Sequence, residues 1–186
     1  MQRAKCWTVV CALLGGVALI PGCDADGVGD PCIPEDEYSD TFAGFAVTEV
    51  NTESRSFQCQ SRLCLVNHFQ GRVSCPYGQT EEQAAKSAGC TLPGGSEPVR
   101  SAVKAQLLDR RTEDAVYCSC RCAGPEPSAR YCECPSGFSC SPVVPDFGTG
   151  QAQLPGSYCV REGSEYSLSK VGPSTCDAAA ANCPAE

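Results

Sequence analysis

The residues with the most chemistry to offer are cysteines. Cys118, Cys120 and Cys122 alternate with single residues, and Cys132 and Cys134 soon repeat that spacing. On a strand, residues two apart point to the same face, so these thiols form a row. Three chemistries suit such a row: a thiolate cluster for zinc or copper, a redox dithiol, or a set of disulfides. A metal cluster would be expected in a His-rich neighbourhood, and His68 is the chain's only histidine. A redox dithiol is usually a Cys-x-x-Cys turn, and the sequence has none. Disulfides are therefore the expectation in an oxidising compartment. Adjacent members of the row bridge one another poorly, because so local a closure strains the bond. Each should reach a different partner and tie several loops onto one strand. A metal-binding or redox protein using the cluster from Cys118 to Cys134 is the alternative.

Other reactive side chains are sparser. His68 falls in a segment that reads as a loop, where a surface or packing role is the expectation. Glu35, Asp36, Glu37 and Asp40 cluster near one end of the body and read as a solvated face. A secreted hydrolase using paired carboxylates is a further, weaker alternative. Asp24, Asp26 and Asp30, with Gly27 between, follow the alternation of a calcium loop but lack its distal bidentate glutamate. A solvated tether is the expected role of that stretch, and no cofactor is expected. There is no HExxH, GxSxG, strand-linked GxGxxG or phosphate loop.

The first residues bear on where this chemistry would take place. Arg3 and Lys5 precede an uncharged apolar run, residues 6–20, followed by Pro21, Gly22 and Cys23. The run suits a secretory signal and falls short of the ~20 residues that span a bilayer. Ile20-Pro21-Gly22-Cys23 resembles the lipobox of bacterial lipoproteins. That resemblance implies acylation of Cys23 and removal of residues 1–22. Cysteine parity agrees with it: of 17 cysteines, Cys6 and Cys11 leave with the leader, Cys23 carries lipid, and 14 remain to pair. These are Cys32, Cys59, Cys64, Cys75, Cys90, Cys118, Cys120, Cys122, Cys132, Cys134, Cys140, Cys159, Cys176 and Cys183. Asp24, next to Cys23, resembles the inner-membrane retention signal of some Gram-negative lipoproteins. Both envelope membranes stay open, with the body in the periplasm or outside the cell.

The body from Cys23 onward is poor in core-forming residues: Leu, Ile, Val and Phe make up 26 of 164. That is about 16%, below the ~20% under which charged chains tend to stay disordered. Cross-links tip the balance back towards folding, since each native disulfide contributes roughly 2–5 kcal/mol. Acidic residues exceed basic ones by 22 to 14 over the whole chain, which argues against a nucleic-acid partner.

The elements that must position these cysteines read as a small disulfide-rich α+β fold, strand-dominated, with two short helices and about seven disulfides. Strands are expected in 42–50, 56–66 and 71–75, with Asn67 to Gly71 as a hairpin loop. Thr80-Glu81-Glu82-Gln83 has capping-box spacing and predicts a helix that stops at Gly89. Residues 97–111 predict a second helix, with Val99, Val103 and Leu107 as its apolar stripe and Arg110 and Arg111 at its end. Residues 23–31 read as an acidic, Gly-rich tether, 32–161 as the disulfide-rich domain, and 162–186 as a loosely packed polar tail closed by a Cys176–Cys183 loop.

Within the domain, Cys132-Glu133-Cys134-Pro135-Ser136-Gly137-Phe138-Ser139-Cys140 resembles the last loop of an epidermal-growth-factor-like module. Cys59 to Cys64 and Gly71 to Pro76 are similar to small extracellular cysteine-rich knots. Both resemblances imply a binding or spacer module. The sequence thus points to a membrane-anchored envelope lipoprotein, non-catalytic, that binds a protein or polymer partner or spaces other components.

Overall fold

The computed structural model describes residues 27–144, 155–167 and 169–183. The fold is built around β2 (Cys64–Asn67), whose four residues are all buried. It pairs antiparallel with β1 (Val50–Glu53) on one side and β3 (Val116–Cys118) on the other. Strand alternation divides the side chains between two cores. Cys64 faces Cys118 and Val66 faces Val116, and these four join Phe45, Phe69 and Val73 on one face. Leu65 faces Tyr117 and turns the other way, into a cluster with Tyr158.

Tyr158 belongs to a second sheet, ordered β4 (Arg121–Ala123), β6 (Gly156–Arg161), β5 (Phe138–Val144). The chain passes from β3 to β4 through Ser119 and Cys120, which tie the sheets together. The Ser119 amide donates to Leu63 O (3.0 Å), its hydroxyl donates to Cys159 O (2.8 Å), and the Cys159 amide donates to Cys120 O (3.0 Å). Among the described residues the result is a small disulfide-rich α+β fold dominated by strands, with two short helices, as the composition and cysteine count suggest.

The first helix, α1 (Glu81–Ala85), carries the expected capping box. Thr80 Oγ1 accepts from the Gln83 amide (3.2 Å), and Gln83 Oε1 accepts from the Thr80 amide (2.8 Å). It ends before Gly89, at Lys86, with Ser87 in the left-handed region (φ 51°).

The second predicted helix is corrected. Residues 97–111 are extended and turned, and α2 is the short Thr112–Ala115 beyond them. Val99, Val103 and Leu107 are buried, at 0%, 5% and 6% exposure, so the apolar stripe marks core positions without marking a helix. The backbone of this segment finds distant partners: the Val99 amide donates to Cys90 O, Arg100 to Asp40 O and Gln106 to Pro76 O, while Val103 and Gln79 exchange both bonds. Gly71 and Gly78, both at positive φ, admit it closely; a Cβ on either would collide with the carbonyl oxygen of Lys104 or Val103. A helix would withdraw those backbone groups from their partners.

Other boundaries shift too. Of 42–50, only Phe45 (bridged to Gly71) and Val50 pair as strand, and 71–75 is a turn closed by an Arg72–Cys75 bridge. Asn67 to Gly71 does not join two paired strands: the chain leaves the sheet at His68 (φ 55°). The tail is docked. Leu108 donates to Ser174 O and Cys176 to Gln106 O, and Cys176 bonds Cys183. Gly29 and Asp30, within the expected tether, exchange backbone hydrogen bonds with Cys118 (2.8 Å each).

Gln79 acts as a substitute strand for the 97–111 segment. Its amide nitrogen donates to Val99 O (2.9 Å) and Ser101 O (2.7 Å), and its oxygen accepts from the Cys90 amide (2.7 Å). Gln79→Ala should lower stability by about 2–4 kcal/mol, since it strands buried backbone groups. Urea unfolding would show this as a lower midpoint at unchanged slope; an unchanged midpoint would refute the role.

Candidate functional site

Disulfides place the candidate site. Cys64 and Cys118 are neighbours across β2 and β3, yet each bonds outward, to Cys32 and to Cys59. Cys32 leads into the 3₁₀ turn Glu35–Tyr38, and Cys59 sits in the loop between β1 and β2. The two segments also hold each other: Gln58 Nε2 donates to Ile33 O (2.7 Å), and its Oε1 accepts from the Ile33 amide (3.0 Å).

Between them lies a groove of about 570 Å³ lined by Ile33, Glu35, Tyr38, Glu53, Arg55, Phe57, Gln58 and Arg62. Phe57 is 88% exposed and Tyr38 51%, and among the described residues these are the exposed large hydrophobics. Both line this one groove. Arg62, in the left-handed region at φ 64°, carries its guanidinium back over the Phe57 ring at 4.2 Å. A non-glycine residue held there stores local strain that the surrounding structure must maintain; here the turn is closed by Arg62 N to Cys59 O and Ser56 N to Arg62 O.

The charge in the groove is unevenly matched. Glu53 accepts from the Glu35 amide (3.1 Å). Burial pushes the Glu53 carboxyl above its ordinary range, that hydrogen bond opposes the shift, and the nearby charges of Glu35 and Asp36 add to it. Among the described residues, the close ion pairs involve neither Glu53 nor Glu35, Arg55 or Arg62. The groove therefore offers two aromatic faces, two carboxylates and two guanidinium groups to whatever enters it.

The cysteine row is split between the sheets. Cys118 ends β3, Cys122 lies in β4, and Cys120 falls between them. Their partners differ, as local closure demands: Cys118 bonds Cys59, Cys120 bonds Cys132 and Cys122 bonds Cys140. Cys134 bonds Cys159, and Cys75 bonds Cys90. Sulfurs from different bridges gather in three groups, Cys32 with Cys59 and Cys118, Cys120 with Cys132 and Cys159, and Cys122 with Cys134 and Cys140, each within 4.8 Å. Bonded as disulfides, they lack the thiolate that zinc or copper requires.

The remaining sequence candidates disperse. Cys23, Asp24 and Asp26 lie outside the described residues, and Asp30 uses its backbone to hold Cys118. Of the acids, Glu37 is fully buried and accepts from the Val73 and Ser74 amides and the Ser74 hydroxyl. Asp40 pairs with Arg100 at 3.0 Å, so the four acids do not converge on one site. His68 is half-buried, stacks on Tyr166 (3.8 Å between ring centroids) and approaches Val47 O at 3.0 Å, which is a packing role. Phe57 falls in a segment expected to be strand; its neighbours Gln58, Gln60, Ser61 and Arg62 form a polar, turn-rich run that marks a loop instead.

With that geometry in hand, comparison with known proteins adds nothing further: no family model, curated protein or solved structure matches the chain.

Glu53 gives the groove a pH signature. Its folded-state pKa is raised, so its contribution is fully present below the unfolded pKa and is lost as pH rises through the folded value. Glu53→Gln keeps the acceptor for the Glu35 amide and removes the titration. Thermal melts from pH 4 to 7 should fall less with rising pH in the variant than in the wild type; parallel curves would contradict the raised value.

Proposed function

We propose that this chain is a lipid-anchored envelope protein whose cross-linked body acts as a non-catalytic binding module, receiving a protein partner in the groove between Tyr38 and Phe57. The observation that carries this reading is the convergence of those two exposed aromatics on one groove. Aromatic and arginine side chains dominate the energy of protein interfaces. Here an aromatic ring is already stacked under Arg62, and both walls of the groove are cross-linked, so little ordering entropy remains to be lost on binding. The matching segment would insert an apolar side chain between the rings. It would set a cation against Glu35 and Glu53, and a carboxylate against Arg55.

The anchor supports the same reading. Cys23 follows the lipobox-like segment, and among the described residues no helix is long and apolar enough to cross a membrane. The seven disulfides among the described residues suit an oxidising compartment. A body held on several acyl chains meets its partner at a surface, where a modest groove suffices because both are confined.

Two measurements test the parts separately. Intact mass of protein from its own membranes should show acylated Cys23 as the N-terminal residue, and Cys23→Ala should abolish the acylation. A photo-crosslinking amino acid placed at Phe57 or Tyr38, in cells, should give one discrete adduct, whereas Ala179 in the Cys176–Cys183 loop should give none. Once the partner is identified, Phe57→Ser should weaken binding at least tenfold, about 1.4 kcal/mol. Adducts of equal yield at all three positions, or none at the groove, would sink the binding role.

A further inference from the structure

The sulfur groups of the two sheets have the same construction and opposite access. In the first sheet, Cys32, Cys59, Cys64 and Cys118 are 2%, 3%, 0% and 0% exposed, so no external thiol can reach them. In the second sheet the series opens to solvent. Cys140 is exposed, Cys122, Cys134 and Cys132 are half-buried, Cys120 is buried at 8% exposure, and Cys159 is fully buried. Starting from the exposed sulfur, Cys122–Cys140 lies with Cys134 within 4.8 Å. Cys134 bonds Cys159, whose sulfur lies 3.6 Å from that of Cys120 and 3.8 Å from that of Cys132. Those two form the third bridge. Three disulfides thus stand in series, each with a sulfur within 4.8 Å of the next.

We propose that these three bridges form a thiol–disulfide relay that takes two electrons from an external dithiol at Cys140 and passes them through the buried Cys159 to Cys120 and Cys132. Exchange needs a thiolate close to a neighbouring disulfide sulfur, and the series supplies that neighbour at each stage. In the first stage one external thiolate attacks Cys140 Sγ and releases Cys122 as thiolate. The second external thiol then resolves the mixed disulfide, leaving the external dithiol oxidised and Cys122 and Cys140 reduced. Next, Cys122 attacks Cys134 and expels Cys159; Cys140 then attacks Cys122, restores the outer bridge and frees Cys134. Last, Cys159 attacks Cys120 and expels Cys132; Cys134 attacks Cys159, restores the middle bridge and frees Cys120. Each stage breaks and forms one S–S bond overall, and the two electrons and two protons end on Cys120 and Cys132. The relay stands independently of the groove, whose bridges are the closed pair of the first sheet.

The test uses the full chain with one molar equivalent of dithiothreitol, acid quenching at intervals, alkylation and peptide mapping. Adducts should appear first at Cys122 and Cys140 and then at Cys120 and Cys132, with Cys32, Cys59, Cys64 and Cys118 unlabelled. Replacing the middle bridge (Cys134→Ala with Cys159→Ala) should leave labelling of the outer pair intact and slow that of Cys120 and Cys132 at least tenfold. Replacing the outer bridge (Cys122→Ser with Cys140→Ser) should slow labelling of both inner pairs. Circular dichroism and the unlabelled first-sheet cysteines report whether each variant keeps its fold. Adducts confined to Cys122 and Cys140 in the wild type would overturn the relay. So would equal labelling rates at Cys120 and Cys132 in a folded middle-bridge variant.

Discussion

The pairing of Cys64 beside Cys118, each bonded away from the other, is the constraint on which the rest of the structure depends. These two residues lie face to face on the buried strands β2 and β3. Their bridges reach 32 and 59 residues along the chain to Cys32 and Cys59. Loop closure of that span removes a large part of the unfolded chain's freedom, which is where a disulfide acts in the chain-entropy view. A chain with so few Leu, Ile, Val and Phe residues has little else to oppose its conformational entropy. The same two bridges carry the walls of the groove, so the feature that stabilises the first sheet also fixes the spacing of Tyr38 and Phe57.

Polar side chains do much of what regular secondary structure does elsewhere. The strands are short and the connections long, so many buried backbone groups cannot pair in a ladder. Arg72 is fully buried and donates to the carbonyls of Ser39, Phe42 and Glu37, while Glu37 receives the Val73 and Ser74 amides. Arg110 likewise donates to Asn67, His68 and Ser164, which clamps the tail onto the end of β2. Burial lowers the affinity of both arginines for their proton, and nearby acidic groups oppose the shift, Glu37 beside Arg72 and Tyr117 and Asp114 beside Arg110. Such residues look like surface in a sequence and are interior in the fold.

That is the main reason the sequence is only partly legible. Thr80 and Gln83 announce α1 because a capping box is a local device, complete within four residues. That Cys118, Cys120 and Cys122 reach three different partners is also legible, since so local a closure strains the bond. The single strand expected to carry them is not: they run from the end of β3 into β4 of the other sheet. Residues 97–111 mislead because Val99, Val103 and Leu107 mark buried positions without saying how the backbone between them is satisfied. The answer lies in Gln79, Cys90, Asp40 and Pro76, none of them local. Arg110 and Arg111, which suit a helix end, illustrate the same failure: Arg110 is 3% exposed and serves distant carbonyls. The groove is invisible for a related reason, as Tyr38 and Phe57 meet only through bridges whose connectivity no spacing reveals.

The two sheets therefore use one chemistry for different ends, and access decides which. A disulfide whose sulfurs are covered by Val66, Phe45 and Val116 meets no thiolate, whatever its intrinsic reactivity, and remains a permanent strut. The bridges of the second sheet are drawn from a closer-spaced set of cysteines and lie against one another, so reduction of one places a thiolate next to another bridge. Losing one bridge there need not open the sheet, because β5 and β6 remain paired along six residue positions. In the first sheet the same loss would release a wall of the groove. Exchange is thus confined to the part of the molecule that tolerates it, while the part that positions Phe57 and Tyr38 stays locked.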